Sequence, residues 1–167
     1  AFHVPDALIH PPKLFELIAK DIRFYGGKIL TNHQVISIKK NKDFVNTVVV
    51  VSNGIKKKIE CDGVINAAGP WSNKIAKLID ANVELELTRG CGIFFSGQLV
   101  SKAINRCRIP DNNDIMCPSE KESLWGTTSN VVSDPESAKT TPNEIQELLS
   151  GAEELFPNIR NYKSFRT

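Results

Sequence analysis

The run Val64-Ile65-Asn66-Ala67-Ala68-Gly69-Pro70-Trp71 has the clearest chemical potential in the chain. Small residues leading through a glycine into a helix let the backbone come close to a flat or phosphorylated ligand. The first N–H groups of the helix then offer a partial positive charge. The same composition also builds an ordinary strand-to-helix packing corner, and on composition alone that is the commoner use. Arg89, Arg106 and Arg108 are the side chains suited to an anion, because a guanidinium can hold a phosphate or carboxylate through two parallel hydrogen bonds. A surface ion pair is the more frequent fate of any single arginine.

Other chemistries find no support. Gly90-Cys91-Gly92 has Phe95 where the third glycine of a dinucleotide fingerprint belongs, and it lies in a strand-like stretch. His3, His10 and His33 are scattered, and no P-loop, Ser-His-Asp set or paired-carboxylate spacing occurs. Cys61, Cys91, Cys107 and Cys117 form no C-x-x-C pair and have no histidine at a zinc spacing, so free thiols are expected and no metal.

These residues sit in a chain with the balance of an ordinary globular protein, 41% hydrophobic and 24% charged over 167 residues, enough for one domain or parts of two. A net charge of +2 is too slight to draw nucleic acid or an acidic membrane. Lys56, Lys57 and Lys58 read as a solvated strand edge that discourages aggregation. With no apolar segment near twenty residues and no basic-then-apolar leader, the expectation is an intracellular, reducing compartment.

The elements that must position the candidates follow from periodicity. Pro11-Pro12, the spacing of Leu14, Ile18, Ile22 and Tyr25, and the stop at Gly26-Gly27 predict a helix over 11–25. Strands are expected at 28–30, 34–39, 44–51 and 55–61, the last two joined by an Asn53-Gly54 turn. Residues 64–68 read as a strand and 71–79 as a helix with Ile75 and Leu78 inward and Ser72, Asn73 and Lys74 outward. From Val83 the pattern changes: strands at 84–87, 92–96, 123–129 and 162–166 suggest a second sheet, with a turn at Asp111 to Asp114 and a polar loop over 130–140. Thr141-Pro142-Asn143-Glu144 is a capping box that opens a helix with Ile145, Leu148, Leu149 and Leu155 on its apolar face, ended by Phe156-Pro157.

Val64 to Trp71 (VINAAGPW), Ile104 to Arg108 (INRCR), Ile115 to Pro118 (IMCP) and Gly126 to Ser129 (GTTS), in this order, resemble the flavin-dependent glycerol-3-phosphate dehydrogenases, most closely the anaerobic type. VINAAGPW alone marks the wider superfamily of D-amino-acid-oxidase-like flavoproteins, and INRCR with GTTS narrows it. The resemblance runs from about Val4 to Arg166.

The resemblance implies a mixed α/β (α+β) fold. Residues 1–82 would be part of an FAD-binding domain with a small antiparallel β-unit, and residues 83–167 part of a mixed-sheet substrate domain. It places Ala67, Ala68, Gly69 and Trp71 against FAD and gives the adenine the backbone of Val35. Arg89, Gly90, Arg106 and Arg108 fall on the substrate side. Leu87-Thr88-Arg89-Gly90 resembles the Lys-Gly or Arg-Gly step at which the family's chain enters the substrate domain. Some relatives of the aerobic type carry a histidine two places after that glycine, where this sequence has Gly92, so its role does not transfer. The activity implied is oxidation of sn-glycerol 3-phosphate to dihydroxyacetone phosphate, with electrons passed to a quinone or a partner subunit. The enzyme would be cytoplasmic or peripheral on the inner face of the cell membrane. The family's GxGxxG unit and its Gly-Val-Arg-Pro motif fall outside the 167 residues, so the chain is expected to be an internal piece that binds FAD weakly or not at all and is inactive alone. Two other readings stand beside this one: a piece of another FAD-dependent oxidase acting on a 2-hydroxy acid or an amino acid, and a cofactor-free binding module derived from such a protein.

Overall fold

The computed structural model describes residues 2–41, 44–106, 109, 114–137, 139–162 and 165–167. The chain divides into two units, one of Ile9–Leu85 and one of Ala1–Leu8 with Glu86–Thr167.

The first unit opens with helix α1, Pro11–Phe24. Prolines in its first turn cost no hydrogen bond there, and the His10 ring Nδ1 accepts from the Lys13 N–H at 3.2 Å as an N-cap. Gly26, at φ 81°, turns the chain out of the helix, and the Gly27 N–H closes it on the Ile22 carbonyl at 2.8 Å. No residue of α1 is buried; Leu14, Leu17, Ile18 and Ile22 form an apolar stripe, each 39–49% exposed.

Strands β1 (Gln34–Asn41), β2 (Phe44–Ser52) and β3 (Ile55–Glu60) pair antiparallel in that order. Asn53 and Gly54 both have positive φ, 49° and 77°, the geometry of the two-residue turn that matches strand twist. The register skips at Ile36: Val35 faces Val50 and Ser37 faces Val49. This bulge puts Val35 and Ile38, three apart, on the same face as Val50 and Val48. Ile38 and Val50 are buried on that face, whereas Lys56, Lys57 and Lys58 stay exposed on the edge strand β3.

Two expected strands of this unit do not form. Residues 28–30 and 64–68 have no strand partner among the described residues, and Ile65 is 95% exposed. An apolar run becomes a strand only where another strand satisfies its backbone. The helix expected over 71–79 is broken into a 3-10 turn Gly69–Trp71, a short α2 (Ser72–Ala76) and a second 3-10 turn Lys77–Ile79, stopped by Asp80 in the left-handed region. Ala76 is its buried residue, with Ile75 and Leu78 half-buried. Ser72 and Asn73, expected outward, are half-buried, and Asn73 braces the neighbouring chain: the Val83 N–H donates to Asn73 Oδ1 at 3.2 Å.

The second unit contains β4 (Thr88–Arg89), β5 (Gly92–Ser96), β6 (Ile104–Asn105), β7 (Ile115–Ser119), β8 (Glu122–Gly126), β9 (Asn130–Val131), α3 (Pro142–Leu155) and β10 (Phe165–Arg166). One sheet runs β10-β5-β8-β7-β6, and β4 pairs separately with β9. The alternation at 84–87 does not yield a strand; Glu84, Leu85 and Glu86 are exposed, and only the Leu87 carbonyl, accepting from the Val132 N–H at 2.9 Å, leads into the ladder that starts at Thr88. The run 123–129 pairs as far as Gly126 and then leaves the sheet. Strand β7 contains Pro118, tolerated because it lies past the two residues that β6 covers. The turn expected at 111–114 lies largely outside the described residues.

The core of this unit joins the inward residues of the sheet, Ile93, Phe95, Met116 and Trp125, to Leu148, Leu149 and Ala152 of α3 and to Ile159. Truncating Phe95, fully buried, would cost about 3–5 kcal/mol. The buried Ser123 hydroxyl accepts from the Leu99 N–H at 2.8 Å and donates to the Gly97 carbonyl at 3.2 Å, so it adds no unsatisfied group. Leu155, expected on the apolar face of α3, is 38% exposed in its last turn, beyond the core contacts of Ala152. No helix among the described residues is long and apolar enough to cross a membrane.

Candidate functional site

The first locus is the corner Ala67 to Trp71. Asn66 braces it in both directions: its Oδ1 accepts from the Ala68 N–H at 3.3 Å, and its Nδ2 donates to the Ser72 carbonyl at 2.9 Å. The Trp71 N–H returns to the Ala68 carbonyl at 3.0 Å. Gly69 sits at φ 52°, and a Cβ built there would meet no atom within 4 Å. The glycine is therefore required by backbone twist, and the space beside it is open. Ala67 is exposed, Ala68 half-buried and Trp71 42% exposed, so this surface is available to a flat ligand. The helix that follows is only five residues of α2, too short to carry the dipole argument made from sequence. What the corner offers is a braced backbone with small side chains.

Val35 lies on β1, at one edge of the three-stranded sheet and directly before the bulge at Ile36. With β2 on one side only, β1 has backbone groups on its other edge free of sheet pairing among the described residues. An open polar hollow of ≈ 470 Å³ is lined by Asn32, His33 and Gln34 before it and by Val51, Ser52, Asn53 and Gly54 of the β2–β3 turn.

The second locus gathers around Arg89 and Gly90. Arg89 turns inward: one terminal nitrogen donates to Glu144 Oε1, the other to the Lys139 carbonyl. Its side chain is 16% exposed and that of Glu144 5%. Glu144 also accepts from the Thr141 N–H at 2.8 Å, the Thr141 hydroxyl at 2.9 Å, Asn130 Nδ2 at 2.8 Å and the Thr128 hydroxyl at 3.3 Å. Burial alone would push the Glu144 carboxyl up, but these donors together outweigh it and hold the group down to about 2. Thr128 grips Cys91 at both ends: its N–H donates to the Cys91 carbonyl and its hydroxyl accepts from the Cys91 N–H, each at 3.0 Å. A Cβ at Gly90 would lie 3.2 Å from the Thr128 carbonyl oxygen, so the two passages are in close contact.

Arg106 is also engaged by its own chain. Its Nε donates to Asp114 Oδ1 at 3.2 Å, a terminal nitrogen meets Glu154, and the guanidinium lies 5.6 Å over the Trp125 ring centroid. Arg108 and Cys107 lie outside the described residues. Cys61, Cys91 and Cys117 are free thiols, buried or half-buried, and burial pushes the Cys117 thiol up, with a smaller contribution from Asp6. Among the described residues no three His, Cys, Asp or Glu side chains converge as metal ligands. Sequence reasoning missed Glu144 as more than a helix cap, and with it Thr128 and Asn130; the capping box was the sole local sign of that carboxylate.

Comparison with known proteins bears on the chain as a whole. A family model described as DAO, FAD dependent oxidoreductase, matches residues 1–167. A component of the anaerobic glycerol-3-phosphate dehydrogenase of Escherichia coli (strain K12) is 30% identical over 170 residues, which is 99% of this chain and 31% of that protein. Its counterpart in Haloferax volcanii, also named as an anaerobic glycerol-3-phosphate dehydrogenase component, is 27% identical over 178 residues, covering 100% of this chain and 30% of its own length. The chain thus spans about a third of the curated relatives it matches. Among solved structures, the glycerol-3-phosphate dehydrogenase from Bacillus halodurans complexed with FAD superposes with a TM-score of 0.73 at 20% identity, over 92% of this chain and 33% of that one. The mixed α/β arrangement with antiparallel sheets is the fold of that part of the enzyme.

Proposed function

Since the chain belongs to the FAD dependent oxidoreductase family along its whole length, we propose that it forms part of an enzyme that oxidises sn-glycerol 3-phosphate to dihydroxyacetone phosphate. The observation that carries this reading is the similarity, over 99% of the chain, to a component of an anaerobic glycerol-3-phosphate dehydrogenase. In this reading residues 1–82 contribute to an FAD-binding domain and residues 83–167 to a substrate domain.

The residues present suit a flavin. Gly69 supplies a left-handed backbone beside open space, Ala67 and Ala68 keep the surface flat, Trp71 borders it, and Val35 offers the adenine edge backbone that has no sheet partner among the described residues. FAD, when bound, supplies the hydride acceptor. The chain's own part is to orient and to exclude. Asn66 fixes the corner through its two hydrogen bonds, while Arg89, Gly90, Arg106 and Arg108 shape the substrate side, Arg89 and Arg106 through the backbone that their ion pairs hold. Electrons leave to a quinone or a partner subunit, from an enzyme in the cytoplasm or on the inner face of the cell membrane.

The test is turnover by the enzyme carrying this chain, with an artificial dye as acceptor. Oxidation of sn-glycerol 3-phosphate well above that of 2-hydroxyglutarate or D-amino acids is expected. A preference for either of the latter overturns the substrate assignment and leaves the family intact.

A further inference from the structure

Three passages of the second unit meet at one carboxylate. Glu144, 4% exposed, takes Arg89 from β4, Thr128 and Asn130 from the stretch that follows β8, and Thr141 from the start of α3. Both terminal nitrogens of the Arg89 guanidinium are already engaged by acceptors of the protein. Its terminal nitrogens meet Glu144 and the Lys139 carbonyl, and its Nε is buried with no partner among the described residues. An arginine so held, its charge matched by a buried carboxylate, is a poor grip for a second anion. The next residues toward the C-terminus are those whose backbone the arrangement fixes: Cys91 is bonded twice to Thr128, Thr128 is bonded to Glu144, and Gly90 packs on the Thr128 carbonyl.

We propose that Arg89 and Glu144 act as a pair of positioning residues that hold Gly90 and Cys91 against Thr128, and that Arg89 does not bind the substrate phosphate. This rests on the reading above that the Arg89–Gly90 passage borders the substrate.

The experiment is a double-mutant cycle with Arg89→Met, Glu144→Gln and both together, read in two ways. In the 167-residue chain, hydrogen exchange at the Cys91 amide reports the Thr128 contact without any need for activity. Each single variant leaves one buried charge unpaired, and the expected result is exchange faster by on the order of tenfold, with the double variant returning toward wild type. Independent, additive effects overturn the pairing. In the enzyme carrying the chain, the kinetics of sn-glycerol 3-phosphate oxidation separate positioning from binding. Positioning predicts that both single variants lose kcat to a similar degree, that KM rises no more in Arg89→Met than in Glu144→Gln, and that Arg89→Lys rescues part of the loss. A phosphate grip predicts a KM increase confined to the variants lacking Arg89, unrelieved in the double variant, and that result overturns the proposal. Wild-type kinetics in all three variants also overturn it, since the pair would then serve folding alone. Absence of glycerol 3-phosphate turnover in the wild-type enzyme would instead sink the substrate reading, with the exchange cycle still deciding the pair.

Discussion

Gly92 and Gly126 stand directly opposite each other across β5 and β8, and a methyl group on Gly126 would come within 3.3 Å of the Gly92 Cα. The two strands are thus drawn together at the end of the pair where the chain leaves toward Arg89 on one side and Thr128 on the other. Neither glycine has positive φ, so the requirement is for space, not for backbone freedom.

Gly92→Ala is accordingly expected to destabilise the protein by about 1–3 kcal/mol, as overpacking does. The new methyl would lie 2.9 Å from Leu124 Cδ1 and 3.1 Å from the Trp125 carbonyl oxygen, and the backbone oxygen cannot give way cheaply. Urea denaturation followed by tryptophan fluorescence measures it. A midpoint equal to wild type would mean that the sheet opens freely at this point.

The Glu144 cluster predicts acid sensitivity with a defined sign. Its folded-state pKa, about 2, lies below the ordinary 4.5, so the ionised group contributes stability that is fully present above about pH 4.5 and is lost as pH falls toward 2. Between those limits wild-type stability should decline with a slope that Glu144→Gln lacks at this site. Denaturation at a series of pH values checks this; parallel curves for the two proteins would show that the carboxylate titrates normally.

Arg106 is expected to be more sensitive to conservative change than an exposed arginine. Its side chain is 8% exposed, its guanidinium faces Trp125, and Asp114 and Glu154 take its nitrogens. Arg106→Ala should cost about 1–3 kcal/mol, the range for losing a hydrogen bond to a charged group, because Asp114 is 13% exposed whereas Glu154 is 66% exposed and rehydrates. Arg106→Lys should recover less than half of it, because an ammonium cannot meet two carboxylates and stack on an indole at once. Equal stability of the lysine variant and wild type, by thermal unfolding, would reduce this arrangement to simple charge pairing.

How far the sequence spoke for the structure depended on whether a signal was local. The capping box at Thr141 and Glu144, the Asn53-Gly54 turn and the Gly26 stop are each decided within a few residues, and each formed as expected. The alternation at Glu84 to Leu87 and the apolar run Val64 to Ala68 are also strand signals, but a strand needs a partner, which no local pattern guarantees. Strands β6 and β7 were hidden by the opposite effect: Ile104-Asn105 is too short and Pro118 reads as a breaker, yet β7 is recruited by pairing with β8, and β6 by pairing with β7. Of the candidate site, the small-residue corner was legible because Gly69 is needed for its own backbone angle. That Arg89 would be claimed by Glu144, 55 residues on, depends on tertiary structure alone.

Gly69 separates a folding role from a cofactor role. At φ 52° an alanine would be strained by about 1–2 kcal/mol, but its methyl would meet no atom within 4 Å, so the corner should survive the change. If the flavin packs on this backbone, the same methyl occupies the space that it needs. Gly69→Ala in the enzyme carrying this chain should therefore lower the unfolding midpoint by a few degrees and weaken FAD binding by on the order of tenfold or more, read from flavin content after dialysis. Gly26→Ala, at φ 81° in the turn after α1 with equally open space, is the matched control: comparable strain with no loss of flavin is expected there. Full flavin content in Gly69→Ala would remove this corner from the cofactor site, whereas equal losses in both variants would assign the effect to general destabilisation.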